Sequence, residues 1–272
     1  MIEIIWSAEI INTGFTFIRG NPCIILAYLT RIKQTWRIES MYFGSYGLYL
    51  LISLPALLLG LWAQSKVRSS FNKYSQVRTS NGMNGSDVAR RILDSNGLSE
   101  IVIKETSGTL SDNYDPRNKT LNLSAGVYSG NSIASAGVAA HEAGHAIQHK
   151  EAYGPLKIRS LMIPTVQIGS WLGPILFFIG YFFSYNNLAY IGLLMFVAIA
   201  LFSILTLPVE LDASKRAKAI LVNQGILYSG EMEGVNQVLD AAAWTYVAAA
   251  AQAVSTVLYY VLLLGGRSSR RR

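Results

Sequence analysis

Four stretches of this chain run for twenty residues or more without a charged side chain: Phe43–Ala63, Leu161–Phe183, Leu188–Leu207 and Ala241–Leu264. A helix needs about 20 apolar residues to cross the hydrocarbon core of a bilayer, so each is long enough to span. Only 14% of the residues are charged, against about 25% in an ordinary soluble domain. The chain therefore reads as a mainly α membrane protein with about four transmembrane helices, in contact with a lipid bilayer. Pro164, Gly169, Gly173 and Pro174 interrupt the second segment, which predicts a kink there. The fourth is alanine-rich and carries Thr245, Gln252, Ser255 and Thr256, so its first half is expected to pack on protein. The second and third are joined by Ser184–Asn187, a tight hairpin.

The remaining sequence divides around these spans. Residues 1–40 contain two short apolar runs broken by Glu9, Asn12, Arg19 and Asn21, and neither reaches a spanning length. Met41 stands directly before the first clean segment. The expectation is that Met41 is the native start and residues 1–40 an upstream extension. Residues 65–160 form a polar-rich region, and residues 208–240 a second polar block after the third span. In the first region a short helix is predicted over Ser86–Asn96, capped by Ser86 and stopped at Gly97. Strands are predicted over Leu98–Lys104 and Thr120–Ser124, with Leu110–Lys119 as a turn-rich loop between them. Ser132 can cap a helix running from Ile133 to about His149.

That last helix carries the chemistry. The chain has three histidines. Two of them fall in His141-Glu142-Ala143-Gly144-His145. On a helix this spacing puts both imidazoles on one face, roughly 6 Å apart along the axis. Two such rings can share one zinc ion, and the intervening Glu142 can act as general base on a water that the ion acidifies. The small residues Ala139, Ala140, Ala143, Gly144 and Ala146 permit close helix packing at the site. With one cysteine, Cys23, the chain can form neither an internal disulfide nor a zinc site built on cysteines.

A hydrolytic zinc site usually takes three protein ligands and keeps a fourth position open. His149 lies eight residues beyond His141, about 12 Å along an unbroken helix, which is too far for the same ion; it reads as a polar helix-end residue. The best third ligand is Glu210, which emerges from the third span, ahead of Glu231, Glu233 and Asp240. Asp212 has two readings, as an acid that orients a ligating histidine or as the i,i+4 partner of Arg216. Tyr114 and Tyr246 are possible donors to an oxyanion. The strand Thr120–Ser124 is expected to pair with an extended peptide substrate by β-augmentation.

Net charge is +7. Lys66, Arg68, Lys73, Lys157, Arg159, Lys215, Arg216 and Lys218 flank the two polar blocks. Read as topology signals, they place both blocks in the cytoplasm and the Ser184–Asn187 hairpin outside, although the arginines of the tail 267–272 run against this. The expected location is the plasma or inner membrane, multi-pass, with the site facing the cytoplasm. The cations sit beside apolar runs and accompany no RNA- or DNA-binding motif, so no nucleic-acid partner is expected.

Several stretches in this order resemble the YugP-type membrane zinc metallopeptidases of bacteria. They are Phe71–Ser75, Leu110–Arg117, Leu123-Ser124, Ala139–Gln148, Thr206–Ser214 with Arg216-Ala217, and Ala242–Ala250. The resemblance covers Met41 to Leu264. It implies a membrane-embedded zinc peptidase with an α+β, zincin-like catalytic region over 65–160. It also implies His141, His145 and Glu210 as ligands and Glu142 as the catalytic residue. A more distant likeness is to the HtpX-type membrane proteases, which carry Asp four residues after the ligand glutamate. Ser214 holds that position here. Two other readings compete with the peptidase: a membrane scaffold or sensor holding zinc structurally, and a site-2-type intramembrane protease. The latter fits less well, because no Asp-Gly pair follows the third span.

Overall fold

Ser132 fixes where the central helix begins. Its hydroxyl accepts a hydrogen bond from the Ser135 N–H at 3.1 Å, capping a helix over Ile133–Lys150. In this computed structural model, which describes the backbone of residues 22–268 and the side chains of residues 47–266, the elements run in a simple order. Helix α1 (Pro22–Ser75) and helix α2 (Gly85–Ser95) precede strands β1 (Val102–Thr106), β2 (Asn113–Asp115) and β3 (Thr120–Ser124). Then come α3 (Ala125–Tyr128), the central helix α4 (Ile133–Lys150), α5 (Gly154–Phe182), α6 (Asn186–Asn223) and α7 (Met232–Ser268). The expectation that residues 1–40 are an upstream extension falls on backbone outside the described residues up to position 21, and on undescribed side chains beyond it. Contacts divide the chain at Leu51: Met1–Leu51 holds the first part of α1, and Ile52–Arg272 holds every other element.

Four helices are long and apolar enough to cross a membrane: Gly47–Ser75, Gly154–Phe182, Asn186–Asn223 and Met232–Gly266. Their outward faces carry Leu51, Leu58, Trp171, Phe182 and Leu194, each more than half exposed, a pattern suited to lipid and costly in water. Helices α5 and α6 pack at backbone distance. A Cβ on Gly192 would lie 2.5 Å from the Phe177 nitrogen, so only glycine fits there. Helix α6 carries the third apolar segment and runs on through Pro208 into the polar stretch ending at Asn223. Proline lacks the N–H for one helical hydrogen bond, a loss that long membrane helices tolerate with help from neighbouring groups.

The remainder is a small α+β unit. Asn84 caps α2 by accepting from the Asp87 N–H at 2.8 Å. The cap expected at Ser86 is therefore two residues too late, and Ser86 instead donates its hydroxyl to Asn84. Strand β1 starts four residues later than expected. Leu98 and Ile101 are spent on a turn and buried beneath it, with the Leu98 N–H on the Leu93 carbonyl. The loop Leu110–Lys119 contains an unexpected strand, β2. Asn113 and Asp115 are poor strand formers, but pairing with β3 overrides that preference, and Asp115 closes the following turn by accepting from the Arg117 N–H.

Strand β3 occupies the range read from the sequence. It lies in the middle of the sheet, parallel to β1 and antiparallel to β2. Both its edges are taken, so it cannot receive a substrate strand as expected. Leu121 and Leu123 on β3 join Val88, Ile92 and Leu93 of α2 in one core with Val127 and the alanine face of α4. Each such leucine or isoleucine contributes about 1.5–3 kcal/mol by leaving water. The opposite side of α4 packs on α6 and α7 through Ala217, Leu221, Val235 and Leu239. The central helix is thereby held between the sheet unit and two helices of spanning length.

Candidate metal centre

The approach of α4 to α6 is set by Gly144. A Cβ there would stand 2.8 Å from the Ala213 carbonyl oxygen and 3.4 Å from its Cα. The missing side chain lets one turn of α4, His141–His145, lie against one turn of α6, Glu210–Ser214. His141, His145 and Glu210 consequently meet, with one ligand atom from each within 4.8 Å of the others. Nε2 of His141 is 3.2 Å from Glu210 Oε2, and Nε2 of His145 is 3.4 Å from the same oxygen. The two rings stand edge to face with centroids 4.8 Å apart.

Those separations suit a metal. Atoms bound at about 2.0–2.1 Å on a tetrahedral ion lie roughly 3.3 Å from each other. The far sides of the rings are prepared as well. Gln148, fully buried, donates its amide N–H groups to the Val209 carbonyl and to Asp212 Oδ2, both at 2.8 Å. Carbonyl and carboxylate oxygens only accept, so the amide nitrogen must face them. That leaves the Gln148 oxygen, an acceptor, 3.0 Å from Nδ1 of His145. Nδ1 of His145 therefore carries a proton, so in the neutral ring Nε2 is the nitrogen left to bind a metal, and in the imidazolium its N–H faces Glu210. Ser214 Oγ lies 3.1 Å from Nδ1 of His141, placed to accept its N–H in the tautomer that leaves Nε2 bare.

Glu142 is buried, 8% exposed, on the same turn. Burial pushes its pKa above the ordinary carboxylate value, against the opposing pull of His141 and His145 and with the help of the Glu210 and Asp112 charges. A carboxyl with a raised proton affinity is suited to take a proton and return it. Burial alone lowers the pKa of His145. The hydrogen bond to Glu210 and the charges of Glu142 and Glu210 outweigh it and hold that pKa above the usual histidine value.

Residues 49–265 match a family model described as "Putative neutral zinc metallopeptidase". The chain belongs to this family. It is also 46% identical over 221 residues to "Putative membrane protease YugP" of Bacillus subtilis (strain 168), covering 81% of this chain and 98% of that relative. No solved structure matches it. The cofactor of this metallopeptidase family is zinc, and among the described residues His141, His145 and Glu210 form the group placed to hold such an ion.

The other residues singled out in the sequence fall in different places. His149 is outside the cluster, hydrogen-bonded through Nδ1 to the Tyr114 hydroxyl at 3.0 Å. Tyr114 is thereby committed away from the cluster, whereas Tyr246 lies close enough to feel the Glu210 and Glu142 charges. Glu231 accepts from the backbone N–H groups of Ser80 and Tyr228, Glu233 from Gln237, and Asp240 pairs with Lys218. Asp212 touches no histidine directly. It pairs with Arg216 at 2.5 Å and reaches His145 through Gln148. Two contributors went unnoticed in the sequence. Gln148 sits three residues after His145, a helical spacing that does signal contact. Arg159, read only as a topology cation, lies 3.3 Å from Glu210 Oε1, and no sequence spacing points to that.

Proposed function

We propose that this chain is an integral-membrane zinc metalloendopeptidase that hydrolyses peptide bonds in membrane or membrane-proximal proteins. The observation that carries the reading is the convergence of two imidazole Nε2 atoms on one carboxylate oxygen beside a buried glutamate. Bound zinc supplies Lewis acidity and a water acidic enough to attack at neutral pH. His141, His145 and Glu210 would hold the ion, three protein ligands being the number usual in a catalytic zinc site. Glu142 takes the proton of the attacking water and passes it to the leaving amine.

In this reading α2, the three strands and α4 make up a zincin-like catalytic region within 65–160, and residues 208–240 supply the third ligand. Lys66, Arg68, Lys157 and Lys215 favour a plasma or inner membrane setting with the site on the cytoplasmic side. Three ligands among the described residues, and not four, favour a catalytic over a structural zinc site.

The test is a pair of variants purified in detergent and assayed with an unstructured protein substrate. Glu142→Gln should keep stoichiometric zinc and lose cleavage by a factor of about 10³ or more, since the base is removed while the ligands stay. Glu210→Ala should lose the zinc. Undiminished cleavage by Glu142→Gln, or zinc that binds without any hydrolysis in the wild type, would sink the enzymatic reading.

A further inference from the structure

The two oxygens of Glu210 have separate neighbours. Oε2 faces both imidazoles, while Oε1 lies 3.3 Å from Nη1 of Arg159. The carboxylate is 3% exposed, so its orientation is decided by these neighbours. Arg159 comes from the second turn of α5, an element that supplies none of the three clustered residues. Its side chain is only 27% exposed, and its Nε is buried without a hydrogen-bond partner. A guanidinium accepts that cost where its charge meets a buried carboxylate.

We infer that Arg159 is a positioning residue for the metal ligand: by holding Oε1 it keeps Glu210 a one-oxygen donor through Oε2. The inference rests on the proposed role of Glu210 as a ligand. A carboxylate free at both oxygens can bind an ion bidentately and fill the position that an attacking water needs. The guanidinium on Oε1 blocks that swing. It also offsets part of the negative charge that Glu142 and Glu210 place in one buried site.

Cobalt(II) exchanged for zinc reports coordination number through its visible absorption, which is intense with four ligands and weaker with five. Wild type should show the intense band. Arg159→Met should bind cobalt with a band weakened about twofold or more, as the site gains an oxygen ligand. Arg159→Lys, which restores the charge, should recover most of the intensity. Arg159→Gln serves in place of the methionine variant if that one does not fold, with the same expectation. If neither uncharged variant folds, full intensity in Arg159→Lys supports the inference and a weakened band overturns it. A wild-type spectrum in Arg159→Met or Arg159→Gln overturns it outright. Glu210→Ala separates the two levels. If that variant keeps its metal, the ligand reading itself fails; if it loses the metal while Arg159→Met looks like wild type, only the role of Arg159 falls.

Discussion

Gln148 and Asp212, on different helices, are joined by a 2.8 Å hydrogen bond whose other end fixes a histidine. The Gln148 amide nitrogen is saturated by the Asp212 carboxylate and the Val209 carbonyl, so its oxygen is free only for Nδ1 of His145. Groups that stand behind a ligating histidine set its tautomer and ring angle. Gln148→Leu should therefore lower zinc affinity about 10- to 100-fold, measured by competition with a chromophoric chelator. Gln148→Glu keeps an acceptor toward His145 but sets a carboxylate against Asp212, and should fall between the two.

Ser214 plays the matching part for His141, at 3.1 Å from Nδ1. It is a neutral partner at the edge of the site, 8% exposed. A neutral hydrogen bond is worth about 1 kcal/mol, so Ser214→Ala should weaken zinc binding only about fivefold. The same titration ranks the two variants, and a Ser214→Ala loss larger than that of Gln148→Leu would mean that His141 depends on its partner more than His145 does.

What could be read without a structure was local and periodic. The helix bearing His141 and His145 announces itself through its Ser132 cap and its alanine face, and β3 through the alternation of Leu121 and Leu123. Glu210 could be singled out because an acid directly after an apolar span is rare and expensive. Strand β2 escaped notice because it exists only through its partner. The place of β3 at the centre of the sheet is likewise a fact of pairing, which residue types do not encode. The contact of Arg159 with Glu210 escaped notice for a different reason. A cation at the end of a spanning segment has a sufficient explanation in topology, and only the fold brings its head onto Oε1 of Glu210.

The contact between Gly144 and Ala213 makes a prediction about packing. Gly144→Ala adds a methyl group 2.8 Å from a carbonyl oxygen that belongs to the backbone and cannot rotate aside. Overpacking of this kind costs about 1–3 kcal/mol, more than the gain of up to about 1 kcal/mol in helix propensity. Relief requires α6 to withdraw, which carries Glu210 away from both imidazoles. The variant should melt about 3–8 °C lower in detergent and retain less zinc after dialysis. Gly137→Ala is the control. Its Cβ would meet Val235 Cγ1 at 3.4 Å, an ordinary contact, so both melting temperature and zinc content should stay near wild type.

Protons and metal compete for the same nitrogen of His145. In the metal-free protein burial disfavours the imidazolium, but the bond to Glu210 and the charges of Glu142 and Glu210 prevail, and the pKa stands above the ordinary 6.5. A ligating histidine must be neutral, so zinc has to displace whatever proton is there. Well above the raised pKa the ring is already neutral and affinity is insensitive to pH. As pH falls through that value the proton must be expelled, and apparent affinity drops by up to about tenfold per pH unit for one such group. Zinc titrations across about pH 6–9 should show this decline beginning above the usual histidine range, with heat signals that depend on buffer ionisation because protons are released. In Glu210→Gln the charge that raises the pKa is gone, so the onset should move to lower pH even as overall affinity falls. An onset that stays where it is in that variant would mean that the Glu210 carboxylate does not govern the His145 proton.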